Sequence, residues 1–201
     1  MIKLSEHLEL SRCSHCSVAM PSLQKISQFE TRTHAGKFLR RWRCYICKSC
    51  GGVITAWADG YDNEVKKYFP QSTEADEIIP DKPRDLIQQA IDSIHAPAGA
   101  VMLAASAVDA MLKILNYKEG NLYNRIEQAA QDHLITNDMA KWAHEVRLDA
   151  NDQRHADEGA SLPEPADAKR CIDFTLALSE FLFVLPSRVT RGIEEANPSE
   201  Q

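Results

Sequence analysis

Cys13-Ser-His-Cys16 and Cys47-Lys-Ser-Cys50-Gly51-Gly52 are two C-x-x-C units separated by 30 residues. Two thiolates at this spacing turn back onto one ion. Two such knuckles close a tetrahedral Zn(II) shell, here Cys13, Cys16, Cys47 and Cys50. The glycines after Cys50 suit a backbone that must bend tightly around sulfur. Four thiolates leave no open position, so the metal is expected to be structural and not catalytic. Cys44 makes the alternative pair Cys44-Tyr-Ile-Cys47, but Tyr-Ile between the sulfurs favours strand and no glycine follows. His15 is expected to be exposed and not a ligand. The remaining alternative is a set of reduced structural thiols. Cys171 sits apart, in an apolar helical pattern.

The charge distribution divides the chain at the same place. Residues 1–70 hold 11 Lys/Arg against 6 Asp/Glu, a balance of +5, and residues 71–201 hold 12 against 23, a balance of −11. A zinc tetrathiolate carries a formal −2, which lowers the first balance to about +3. The stretch 32–50 contains six basic residues and no acid. Only the first part is attractive to an anion. In it Lys37, Arg40, Arg41 and Arg43 interleave with Phe38, Trp42 and Tyr45, a pattern that offers phosphate contacts and stacking surfaces. The competing reading is a solvated strand face that keeps a small ribbon soluble.

Around the second knuckle, Lys37-Phe-Leu-Arg-Arg-Trp-Arg-Cys-Tyr-Ile46 and the stretch 53–57 predict a hairpin with 47–52 as its turn. Residues 71–82 are polar and acidic with Pro80, and read as a linker. Beyond them, Pro83 and Pro97 open helices. Leu86, Ile87, Ala90, Ile91 and Ile94 form a one-sided stripe, and 98–115 is apolar on nearly every side. Further helices fit 122–133, a segment from about Thr136 carrying Met139, Trp142, Ala143, Val146 and Ala150, and 166–185, which stops before Pro186. The fold class is therefore α+β: a four-cysteine zinc ribbon of β-hairpins over 1–70, a linker over 71–82, an all-α bundle over 83–190 and a mobile tail over 191–201.

At 44% apolar and 26% charged the composition excludes a disordered or fibrous protein. The most apolar stretch, 96–112, reads as too short for a bilayer and carries Asp109, so no membrane is expected. The first residues lack an apolar signal core. A cytoplasmic protein is expected, in which clustered cysteines bind metal.

The fourth helix carries a polar constellation. At 100° per residue from Arg147, Asn151 falls at about 40°, His144 at about 60°, His155 at about 80° and Arg154 at about −20°. Such a set positions a phosphodiester, with Arg holding the anion and His moving protons. The alternative is a hydrogen-bond network inside the bundle or between subunits.

These residues carry a resemblance. Asn121-Leu-Tyr-Asn-Arg-Ile126, Trp142-Ala-His-Glu-Val-Arg147, Asn151, His155 and Phe181-Leu-Phe-Val-Leu-Pro186 resemble an uncharacterised bacterial domain family. That family is often found beside restriction-endonuclease and other defence modules, and many members carry an N-terminal zinc ribbon. It looks related to the HEPN (higher eukaryote and prokaryote nucleotide-binding) superfamily of helical bundles, and the match covers about 83–189. The resemblance implies a homodimer through the fourth helix. For members that are metal-independent endoribonucleases it implies a catalytic Arg-x(4–6)-His motif. Here seven residues separate Arg147 from His155, and Ala150 stands just before Asn151, where such enzymes often carry the Arg. Asn151 and His155 keep the Asn-x-x-x-His spacing, with Arg147 or Arg154 as the substitute cation.

Three functions are therefore expected to compete. The first is a nucleic-acid-associated module of a defence-type system, dimeric and binding RNA, DNA or a partner protein. The second is a HEPN-type endoribonuclease, and the third a pure protein-interaction adaptor.

Overall fold

The computed structural model describes residues 1–155 and 161–196, with side chains described up to Asn151 and again from Ser161. It is α+β and divides into two compact units, Met1–Thr73 and Glu74–Gln201.

The first unit is a four-stranded antiparallel meander, β1 (Leu23–Thr31), β2 (Arg40–Cys47), β3 (Val53–Ala58) and β4 (Lys67–Phe69), in that spatial order. The β2–β3 hairpin is the one read from the sequence, with Trp42 opposite Trp57 and Tyr45 opposite Ile54. Side chains alternate across the sheet because the strand period is two. One face carries Leu23, Tyr45, Cys47, Ile54, Ala56 and Ala58, which are buried with Leu4, Leu8, Leu10 and Cys13 of the N-terminal segment. The other face is not covered by this core. β1 was not expected as a separate strand, for only Leu23 of its nine residues is buried.

The second unit contains α1 (Asp81–Asp92), α2 (Pro97–Ile114), α3 (Leu122–Gln131), α4 (Asn137–His155), α5 (Pro165–Ser179) and α6 (Leu185–Ala196). α2 is the hub, packed on α1, α3, α4 and α5, with nine of its residues buried. At 18 residues it is long and apolar enough to cross a membrane by length and composition, contrary to the expectation of a stretch too short. Half of it is instead buried against its neighbours. Its Asp109 accepts from Arg125 of α3 at 2.6 Å and pairs with Lys113 at 2.5 Å, which ties α2 to α3.

Two sequence expectations are revised here. Part of the anticipated 71–82 linker belongs to the helical unit: Ile79 is buried in its core, and α1 begins at Asp81. The last helix does not stop before Pro186. A single π-helical turn, Glu180–Val184, joins α5 to α6, and the helix continues to Ala196, through what was expected to be a tail. Proline inside an α-helix clashes with the carbonyl four residues back. The π turn immediately before Pro186 widens the ladder there, the Leu185 N–H reaching the Glu180 carbonyl. Residues 197–201 of that tail lie outside the described residues.

Candidate functional site

Both knuckles are built alike. In the first, the Ser17 N–H donates to the Cys13 carbonyl at 2.9 Å; in the second, the Gly51 N–H donates to the Cys47 carbonyl at 2.8 Å. Ser17 and Gly51 both take the left-handed conformation, at φ 56° and 74°. Each loop thereby turns backbone N–H groups onto its own sulfurs: His15 N–H to Cys13 Sγ at 3.4 Å and Gly52 N–H to Cys50 Sγ at 3.3 Å.

The four sulfurs of Cys13, Cys16, Cys47 and Cys50 all lie within 4.8 Å of one another, with Cys13 and Cys50 at 3.9 Å. Thiolates about 2.3 Å from a tetrahedral ion are separated by about 3.8 Å, so the set fits one metal ion. As free thiols they differ. Burial pushes Cys13 up and Cys16 up to about 12. Burial opposes the Cys47 thiolate too, but the N–H groups of Cys50 and Ser49 outweigh it and bring this thiol down to about 7. Cys44 lies on the opposite face of β2, outside the cluster. The His15 ring is exposed and bonds the Val53 carbonyl at 2.8 Å.

The basic stripe separates by face. Arg43 points inward with only 7% of its side chain exposed. It donates to the Leu4 carbonyl at 2.7 Å, stacks over Tyr61, and pairs with Glu6 and Asp62 at 3.4 and 3.6 Å. This removes it from the expected anion-binding set. Arg41 shares that face and is held by Glu30 at 2.9 Å and the Asp59 carbonyl at 2.7 Å. Tyr45 is buried, its hydroxyl donating to the Ser5 carbonyl. Lys37 and Arg40 are exposed, and Trp42 lies on the outward face. The period-two alternation holds the signal for this division: Cys47, one of the clustered cysteines, faces inward, and Tyr45, Arg43 and Arg41 follow it at steps of two.

In the helical unit, Arg147 and Asn151 come together. They line a cleft of about 170 Å³ with Asn121, Tyr123, Ala105 and Ala150. The Arg147 guanidinium lies 5.4 Å from the Tyr123 ring centroid, and its buried Nε has no partner among the described residues. His144 does not line this cleft. Its ring stacks on Tyr123 at 4.7 Å and bonds Glu127 Oε1 at 2.8 Å. Tyr123 and Asn121 line the cleft from the α3 side, and neither residue type by itself signals this chemistry in the sequence. The backbone of α4 runs to His155, but the side chains of Arg154 and His155 lie outside the described residues. Cys171 is buried and its thiol faces Asp149 Oδ2 at 3.7 Å.

Residues 87–196 match the family described as a domain of unknown function, DUF4145. That match covers more than half of the chain. The chain belongs to this family. The DUF4145 region includes α2 to α6 and the Arg147 cleft, while the cysteine cluster lies before it. No curated protein and no solved structure matches the chain.

Proposed function

We propose that this is a cytoplasmic, zinc-stabilised, nucleic-acid-associated module of a bacterial or phage defence-type system. Zinc is the metal that four thiolates in two short knuckles suit best. The observation that carries the nucleic-acid reading is the free cations of the ribbon unit. Lys37, Arg40 and Lys67 are exposed, and none has an ion-pair partner among the described residues, whereas Arg41 and Arg43 are engaged. Phosphate contacts of this kind release counterions, so binding weakens steeply with salt. Lys37→Ala with Arg40→Ala is expected to flatten the slope of log affinity against log salt by about two. Salt-independent binding, or none of RNA or DNA, overturns the reading and leaves the protein-interaction adaptor.

The Arg147 cleft favours a second reading, a metal-independent endoribonuclease of HEPN type. A buried, unpaired guanidinium nitrogen beside Asn151 suits a phosphate anion. In this reading a histidine such as His155 takes the proton of the RNA 2′-hydroxyl, whose oxygen attacks phosphorus. The 5′-oxygen leaves with a proton from an acid, while Arg147 stabilises the charge on the phosphoryl oxygens. The site is completed by a second copy through α4, a twofold contact. Cleavage of RNA but not DNA in chelator, lost in His155→Ala, tests the chemistry, and light scattering tests the dimer.

A further inference from the structure

We propose that the outward face of the ribbon sheet is a stacking platform for single-stranded nucleic acid, centred on Phe29, Trp42, Trp57 and Phe69. The proposal rests on the nucleic-acid reading and specifies which polymer and which surface.

One aromatic comes from each of the four strands. Phe29 is opposite Trp42 in the β1–β2 register, and Trp42 is opposite Trp57 in the β2–β3 register. Phe69 of β4 pairs with Thr55, one outward position along from Trp57. Their rings form a connected row. Phe29 and Trp42 are nearly parallel at 9° with centroids 6.0 Å apart, and Trp42 lies 6.1 Å from Trp57 and 6.4 Å from Phe69. Strand spacing makes the row about 14 Å wide. The edge members remain open, Phe29 at 45% and Phe69 at 41% exposure.

Four aromatics on an open face form an apolar patch of the kind that marks an interaction site. The charges choose the partner. Arg40 lies 4.5 Å from the Trp57 ring centroid and Lys67 5.2 Å from that of Phe69. Among the described residues, every other outward position of the four strands is uncharged, Ser27, Thr31, Cys44 and Thr55 included. A surface with π-faces, cations at its edges and no carboxylate suits unpaired bases on a phosphate backbone. Sheets of this kind stack two or three bases. In a duplex the bases are already stacked on one another, so this face offers it only the cations.

The test measures fluorescence anisotropy of labelled oligothymidine and oligouridine of about 15 nucleotides, and of a duplex of that length, with the full-length, metal-containing chain. Single strands are expected to bind at least about tenfold more tightly than duplex, and Trp42→Ala and Phe29→Ala each to lose about tenfold. Tighter binding of either single strand than of duplex, lost in the aromatic variants, supports the platform, and the ratio of the two single strands says which polymer is used. Quenching of tryptophan emission in a Trp142→Phe background, where only the ribbon tryptophans report, supplies a readout that needs no core change. Phe29→Leu, at the sheet edge, serves if Trp42→Ala fails to fold. Equal affinity for duplex, or unchanged affinity in the aromatic variants while Arg40→Ala still weakens binding, overturns the platform and leaves the nucleic-acid reading standing. Failure of every polymer to bind overturns both.

Discussion

Gly52 and His15 approach so closely that a β-carbon on the glycine would lie 2.5 Å from the imidazole ring. The two consecutive glycines after Cys50 therefore have different reasons. Gly51 has open space around it but a φ of 74°, whereas Gly52 leaves room for the ring that bonds the Val53 carbonyl. Gly51→Ala is expected to destabilise the ribbon unit by about 1–2 kcal/mol through the left-handed backbone alone. Gly52→Ala must displace His15 and costs about 1–3 kcal/mol as an overpacking change. Denaturant melts followed by tryptophan fluorescence in a Trp142→Phe background check both, and His15→Ala added to Gly52→Ala is expected to recover most of the second loss.

Metal removal separates the two units. The knuckle sulfurs and their surroundings form part of the small ribbon core, in which Cys13 and Cys47 are buried. The helical unit has its own core around Ile87, Val108, Ile126 and Phe174. One equivalent of zinc per chain is expected in freshly purified protein. Prolonged chelation, or Cys50→Ser, should unfold the ribbon and leave the helical circular dichroism in place, because binding energy in such sites is folding energy. Less than about half an equivalent in unchelated protein would count against a zinc tetrathiolate.

Neighbouring arginines on β2 should behave oppositely. Arg43→Ala removes a buried guanidinium that bonds the Leu4 carbonyl and packs on Tyr61, and is expected to cost about 2 kcal/mol. Arg40→Ala should stay within about 0.5 kcal/mol of the parent and instead reduce the salt slope of nucleic-acid binding by about one. Urea melts and binding isotherms on the same two variants decide the matter. A large stability loss for Arg40→Ala would mean that its stacking on Trp57 is structural.

That contrast shows how the sequence was legible. Cysteine spacing brought out the knuckles because C-x-x-C is a local geometric requirement, and Pro97 with its apolar run marked α2 because helix signals are local too. The separation of Arg40 from Arg43 needed the alternation carried back from Cys47, a rule of the strand and not of the composition. β1 was illegible for a deeper reason. Its residues are nearly all exposed, and its place is set by partners on β2, with a bulge between Lys25 and Ser27 shifting the register so that Phe29 meets Trp42. Pro186 reads as a stop in the sequence, and the π turn that accommodates it between α5 and α6 has no local sequence signal.

A pH effect is built into α4. Burial raises the Asp149 carboxyl; the Cys171 thiol and Arg170 oppose this, and Asp167 and Glu145 add to it. The folded state therefore holds this proton more tightly than the unfolded chain. Its stabilising contribution is complete below the ordinary carboxyl value of about 3.9 and is lost as pH rises through the higher folded value. Asp149→Asn should consequently be more stable than the parent at neutral pH, and the difference should shrink on acidification. Urea midpoints of the two proteins across pH 4 to about 7 test this, and a parent that gains on the variant as pH rises refutes it.

Arg147 offers a test of whether its cleft serves structure or ligand. The Nε of Arg147 is buried without a described partner, as it is in Arg43 and Arg125, but those two also bond a carbonyl and a carboxylate through Nη1, whereas the Arg147 guanidinium leans on Tyr123. An unsatisfied buried donor costs about 1–3 kcal/mol, while an arginine–aromatic contact returns about 0.5–2 kcal/mol. The two nearly cancel. Arg147→Met, similar in length and without the charge, is therefore expected to stay within about 1 kcal/mol of the parent or exceed it, as residues held for function often do. Inorganic phosphate should raise the melting temperature of the parent and not of Arg147→Met, and any RNA cleavage should vanish with the substitution. Tyr123→Leu should weaken the phosphate effect by freeing the guanidinium from its support. A loss of more than about 2 kcal/mol in Arg147→Met, with no phosphate effect in the parent, would make Arg147 a packing residue and close the endoribonuclease reading at this cleft.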